Sequence, residues 1–211
     1  MKVLITAGPT REKIDAVRFL TNRSTGKMGY ALAEAARDAG HEVTLVSGPV
    51  TLPVPQGIAL VPVESAADMA EAVKERAPQM ELVVMCAAVA DYRPKRVVAG
   101  KMKKTEGDLV LELERTEDIL KTLGAVKPEG QILVGFAAET DDLLANAAGK
   151  LEKKNLDWIC ANDVSRSDIG FGSDENCVTL IGRDGRRYGI GPDTKRAVAD
   201  AILEIVTDSG R

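Results

Sequence analysis

The sequence predicts a doubly wound α/β fold: a mostly parallel sheet with helices on both faces. Short apolar runs recur along the chain, segments of helical periodicity lie between them, and glycine–proline pairs end the runs. The first run, Lys2–Thr6, stops at Gly8-Pro9 and reads as a buried strand. Ser24 or Thr25 then offers a cap to a helix through about Ala39, with Met28, Ala31, Leu32 and Ala35 at helical spacing and Gly40 ending it. Glu42–Ser47 is a second strand, stopped by Gly48-Pro49. Gly57–Val63 is a third, placed at a sheet edge by Pro62. Ser65 opens a helix carrying Met69, Ala72 and Val73. Glu81–Ala87 is nearly all apolar, as a strand covered on both faces should be. Gln131–Phe136 and Leu156–Ala161 repeat that pattern around a charged helix at about Asp141–Lys154. Cys177–Ile181 and Arg187–Ile190 flank Asp184-Gly185 as a terminal hairpin, and Asp193 opens a last helix with Ala197, Ala201, Ile202 and Ile205 on its face. The stretch Lys95–Asp108 breaks the pattern. It is basic, has no apolar period, and is predicted to be a mobile flap.

Composition excludes several functions. The chain has 211 residues, with Lys+Arg 28 against Asp+Glu 32, a formal net charge of −4. Its length predicts one domain over residues 1–211, large enough to bury a core without staples. An acidic chain does not make a general nucleic-acid binder, and aromatic residues at 3% are too few for base-stacking platforms. No apolar run approaches the roughly 18 residues of a membrane span. Three cysteines (Cys86, Cys160 and Cys177) form no C-x-x-C pair and predict a reducing, cytoplasmic compartment. With His41 the single histidine, a Ser-His-Asp hydrolase is disfavoured.

In doubly wound sheets ligands bind beyond the carboxyl ends of the strands, at the switch point. That rule selects Gly8–Arg11, Gly48–Pro49, Ala87–Pro94, Phe136–Thr140 and Asn162–Ser165. The nucleotide fingerprints fail there: Ala7-Gly8-Pro9-Thr10 supplies one glycine, and before Gly26-Lys27 a Walker loop would need Gly in place of Thr21 and Ser or Thr in place of Met28. Ser24-Thr25-Gly26-Lys27-Met28-Gly29 still offers hydroxyls, a lysine and backbone amides at a helix start, either an anion site or an ordinary capped helix. Asn22 beside it is a ligand-facing amide or a turn residue. Asp91 suits a ribose, a base edge or Mg²⁺, or merely a turn before Pro94. Lys101, Lys103 and Lys104 lie in the flap, placed to fold over a triphosphate or to face solvent. Lys150 and Lys154, four residues apart, share a helix face.

Taken together and in order, certain segments resemble the phosphopantothenate–cysteine ligase family. They are Ala7-Gly8-Pro9-Thr10, Thr21 to Gly29, Ala90-Asp91-Tyr92-Arg93-Pro94, Lys101-Met102-Lys103-Lys104, Gly135 to Thr140, Lys154-Asn155-Leu156-Asp157, Ala161 to Val164 and Gly170 to Asn176. The resemblance covers nearly the whole chain. It implies a Rossmann-like domain that joins 4′-phosphopantothenate to L-cysteine in coenzyme A synthesis, using CTP with Mg²⁺ through an acyl-cytidylate, and working as a homodimer. Carried over residue by residue, it implies that Lys101, supported by Lys103 and Lys104, serves formation of the acyl-nucleotide, and that Asn22 serves its conversion to product. It places the nucleotide against Met85, Cys86, Ala87, Asp91, Lys101, Glu117, Asp118, Ile119, Leu120, Phe136, Lys150 and Lys154. The family's Asn-Pro-Asp stands here as Thr116-Glu117-Asp118, agreeing only at Asp118, and Thr25 replaces a common Ser. The resemblance does not decide whether the chain stands alone or is the ligase part of a bifunctional protein. An NAD(P)-dependent reductase would need G-x-G-x-x-G and often Tyr-x-x-x-Lys, and neither is present. A non-catalytic nucleotide-binding domain would have lost Lys101 or Asn22, and both are kept.

Overall fold

The computed structural model describes residues 1–103, 106–139, 149–163 and 172–208. Its frame is an eight-stranded sheet. The strands are β1 (Lys2–Ala7), β4 (Glu42–Ser47), β5 (Ala59–Pro62), β6 (Leu82–Met85), β9 (Ile132–Glu139), β10 (Trp158–Asp163), β11 (Glu175–Gly182) and β12 (Arg187–Thr194), ordered β12-β11-β10-β9-β6-β1-β4-β5. From β5 to β10 every neighbouring pair is parallel, and β11 and β12 close the sheet as an antiparallel hairpin. The chain therefore winds outward from β1 in both directions, and the switch point lies between β1 and β6. Pro62 sits on the edge strand, as its missing N–H requires.

Two hydrophobic layers cover the two faces. Helices α1 (Lys27–Asp38) and α4 (Lys195–Asp208) pack on one face, burying Leu32, Ala33, Ala36, Val198 and Ile202 against Val3, Ile5 and Val84. Helices α2 (Ala66–Arg76) and α3 (Ile119–Val126), with the helical turn 149–153, pack on the other around Leu4, Met69, Val83, Leu133 and Leu156. Ser65 starts α2 by a capping box: its hydroxyl accepts from the Asp68 amide at 3.1 Å, and the Asp68 carboxylate accepts from the Ser65 amide at 2.9 Å.

Several expectations are corrected. Neither Ser24 nor Thr25 caps α1. Its N-cap is Gly26, with φ +79°, and no side chain caps the helix. A Cβ at Gly26 would also meet Val50 at 2.7 Å, so both the backbone angle and the space require glycine. The last helix begins at Lys195, because β12 continues to Thr194, whose hydroxyl accepts from the Ala197 amide at 3.2 Å. Its buried stripe runs through Val198, Ala199, Ile202, Leu203 and Val206, and Ala197 and Ala201 are only partly covered. Residues 95–103 contain no strand or helix, and Tyr92–Pro94 (β7), paired antiparallel with Leu113–Arg115 (β8), makes a ribbon at the flap's base. A second hairpin, β2 (Arg11–Lys13) with β3 (Phe19–Thr21), leaves the sheet directly after β1. Lys104, Thr140, residues 141–148 of the predicted helix and the segment 164–171 lie outside the described residues.

Helix α1 approaches the switch point closely because its first turn carries Gly29. A Cβ there would stand 2.5 Å from the Ala7 Cβ and 3.0 Å from the Thr6 carbonyl oxygen. Gly29→Ala gains about 1 kcal/mol of helix propensity. Overpacking against backbone costs about 1–3 kcal/mol. Backbone cannot yield as a flexible side chain does, so a lowered melting temperature is expected in a thermal scan.

Candidate functional site

The switch point is built by two loops zipped together. The Ala88 amide donates to the Gly8 carbonyl at 2.9 Å, and the Thr10 amide donates back to the Ala88 carbonyl at 3.2 Å. Buried threonine hydroxyls at Thr6 and Thr10 accept from the Ala87 and Ala90 amides at 3.0 and 2.9 Å. These bonds hold the 86–91 backbone open toward a cavity of about 410 Å³. That volume is in the range of small-molecule sites.

Asn22 is fixed at this wall from both ends of its amide. Its Nδ2 donates to the Ala88 carbonyl at 2.8 Å, and its Oδ1 accepts from the Ser24 amide at 2.9 Å. It follows β3 directly, so the β2–β3 hairpin carries it to the site. The uncapped start of α1 also faces the cavity through Gly26, Lys27, Met28 and Gly29, and its first turn contains no acidic residue. Amide groups at such a terminus attract anions.

The predicted nucleotide residues separate into two groups. Met85, Cys86, Ala87, Asp91, Glu117, Asp118, Ile119, Leu120, Phe136, Lys150 and Lys154 all line the cavity, as does Asn22. Lys101 does not. The flap holds it outside the wall, beside Met102, whose amide is bonded to Asp15 in the β2–β3 turn. Several wall residues already have partners. Lys154 is 2.9 Å from the Asp118 carboxylate, which also caps α3 through the Lys121 amide, and Glu117 bonds Lys74 at 2.7 Å. The Lys74 ammonium holds the Glu117 carboxyl below its ordinary range. Burial pushes the Cys86 thiol up to about 12, so this cysteine is neutral and no nucleophile.

At the polar end of the cavity Asn162 belongs to a strand-end segment selected from the sequence, whereas Asn176 and Lys195 are not among the predicted site residues. Asn162, Asn176 and Lys195 line this end from β10, β11 and the first turn of α4. Asn176 is 2% exposed. Its Nδ2 reaches only the Met28 sulfur, at 3.5 Å, and its Oδ1 has no partner among the described residues. Burial, then the neighbouring Lys27, lowers the Lys195 pKa. Lys27 itself bonds Asp174 at 2.7 Å and the Gly172 carbonyl at 3.2 Å. For Asn176 the signal in the sequence is its place at the end of the Gly170–Asn176 segment, and Lys195 has none.

Fold and site together define a doubly wound, Rossmann-like α/β protein with an anion-ready cleft at its switch point. The chain belongs to the family described as the DNA/pantothenate metabolism flavoprotein C-terminal domain, which matches residues 1–209. It is 56% identical over 203 residues to the coenzyme A biosynthesis bifunctional protein CoaBC of Bacillus subtilis (strain 168), covering 96% of this chain and 50% of that protein. Thus it spans about half the length of the curated relatives it matches. The crystal structure of the C-terminal domain of a CoaBC protein superposes with a TM-score of 0.85 at 48% identity, over 99% of this chain and 94% of that one. A mutant of Cab2 in complex with phosphopantothenate-cysteine shares the fold, with a TM-score of 0.81 at 19% identity over 99% of this chain and 85% of that one.

Proposed function

We propose that the chain is a phosphopantothenate–cysteine ligase acting in coenzyme A biosynthesis, with CTP as the activating nucleotide. The carrying observation is the placement of Asn22 on the wall of the switch-point cavity, in a chain whose family match runs over residues 1–209. The name of the Bacillus subtilis relative supports the pathway.

In this reading a phosphopantothenate carboxylate oxygen attacks the α-phosphorus of CTP. The bond to the β-phosphate oxygen breaks and pyrophosphate leaves. The cysteine amine then attacks the acyl carbon, the amide bond forms, CMP leaves with the former carboxylate oxygen, and the amine gives up a proton. A free carboxylate resists amine attack, and nucleotidylation supplies the leaving group. Lys101, with Lys103 beside it, neutralises charge gathering on the departing pyrophosphate. The Asn22 amide orients the acyl group and donates to its developing oxyanion. The backbone of Met85, Cys86 and Ala87, the α3 start from Glu117 to Leu120, Asp91, Phe136, Lys150 and Lys154 hold the nucleoside. The α1 terminus takes phosphate oxygens.

Mg²⁺ fits this site as an ion carried in by the triphosphate. Among the described residues no three His, Cys, Asp or Glu side chains gather on one point, and Asp91 is a wall carboxylate available to such an ion. When bound, the ion supplies neutralisation of phosphate charge.

A homodimer is part of the proposal. Val17, Phe19, Tyr92, Val97, Val98 and Leu113 are exposed, and all lie on the β2–β3 hairpin or the β7–β8 ribbon and flap. Clustered exposed apolar residues mark association surfaces. Cytoplasmic residence is also proposed, supported by three free cysteines. No helix among the described residues is long and apolar enough to cross a membrane.

The test is pyrophosphate release from phosphopantothenate, L-cysteine and CTP, with ATP in a parallel arm. Release with CTP that depends on phosphopantothenate is expected. No release with either nucleotide would overturn the reading.

A further inference from the structure

The two positions assigned to the two half-reactions, Lys101 and Asn22, belong to different segments, yet one small hairpin leads into Asn22 and bonds the flap on either side of Lys101. Asn22 follows its second strand. Its turn, Ile14 to Arg18, holds the flap. The Val98 amide donates to the Ile14 carbonyl at 3.2 Å, and the Met102 amide donates to the Asp15 Oδ2 at 3.0 Å. The Arg18 guanidinium reaches the Met102 carbonyl at 3.4 Å.

Asp15 is built for this duty. It is 3% exposed on a surface hairpin, a burial that an ionised carboxylate tolerates only when fully partnered. Its two oxygens divide the work. Oδ1 accepts from the Val17 and Arg18 amides at 2.9 and 2.8 Å and so closes the turn. Oδ2 accepts from the Arg18 Nε at 3.0 Å, its terminal nitrogen at 2.5 Å, and the Met102 amide. Two of the three donors on the second oxygen are the turn's own Arg18, and the third, the Met102 amide, couples the turn to the residue next to Lys101.

We infer that Asp15 is a positioning residue: its Oδ2 fastens the flap backbone at Met102 and so fixes the place, just outside the cavity wall, from which Lys101 reaches over a bound nucleotide. The inference rests on the ligase reading for its kinetic consequence, and on geometry alone for its structural one. A misplacement of about 1 Å costs on the order of a hundredfold when a group acts by alignment.

Asp15→Asn is the isosteric variant. Its side-chain carbonyl keeps the two turn amides, while its NH₂ group replaces Oδ2 and opposes the donors of Met102 and Arg18. Asp15→Ala, with its melting temperature measured, is the second variant. Both are made in the full 211-residue chain. Amide hydrogen exchange in peptides covering residues 98–103 is expected to rise about tenfold or more in both, a readout independent of any activity. Pyrophosphate release is expected to slow by about a hundredfold with KM for CTP changed less than about twofold. Adding either change to Lys101→Gln is expected to slow release no further, because the two act through one group. The inference is overturned by unchanged exchange at 98–103, by Asp15 variants of normal rate, or by effects that multiply with Lys101→Gln. If the unaltered chain releases no pyrophosphate, the ligase reading fails, and the exchange experiment still decides whether Asp15 fastens the flap.

Discussion

Lys101→Gln is expected to slow pyrophosphate release by about 10²–10³-fold. Glutamine keeps the length and a donor but removes the charge, so the loss measures charge stabilisation and not packing. Lys101 is exposed and lies outside the cavity wall, so its replacement removes no packing. Its flap neighbours Val98 and Met102 are held by backbone bonds that do not involve its side chain. Lys101→Arg should keep part of the rate. Stopped assays following pyrophosphate check the effect, and a Lys101→Gln enzyme with a near-normal rate would sink the role.

Asn22→Asp is expected to separate the two half-reactions. A carboxylate at this position loses the Nδ2–H donor and turns an oxygen toward the Ala88 carbonyl, now 2.8 Å from that nitrogen. It also sets negative charge beside an oxyanion. Pyrophosphate should still appear, whereas amide formation should fall by about 10²-fold, leaving acyl-nucleotide on the protein. Mass spectrometry of acid-quenched samples would detect it. An Asn22→Asp enzyme that loses the first step equally, with no intermediate, would remove Asn22 from the second step.

The strands of the sheet were legible because burial on both faces leaves continuous apolar runs: Glu42–Ser47 occurs as read, and Lys2–Thr6 gains one residue. The small hairpins were not. Arg11-Glu12-Lys13 has no apolar alternation, because the inward residue is Glu12, whose carboxylate accepts from the Ala66 amide at 2.8 Å. A charged residue facing inward defeats any hydrophobic pattern. Helix α3 went unread because its eight residues begin directly at a site motif and are too few to display a period. At the site, the residues beside β1 and β6 could be read from strand ends. Asn176 and Lys195 could not, since only the sheet order β9-β10-β11 brings them there, and that order includes an antiparallel reversal that no local pattern announces.

The zipped loops at the switch point have a thermodynamic consequence. With Thr6, Thr10, Gly8 and Asn22 already bonded to the 86–90 backbone, an arriving ligand meets a floor that needs no ordering. The entropic penalty of complex formation then falls on the flap and on the ligand itself. A bed fixed before association leaves mainly the freedom of the incoming molecule to be lost.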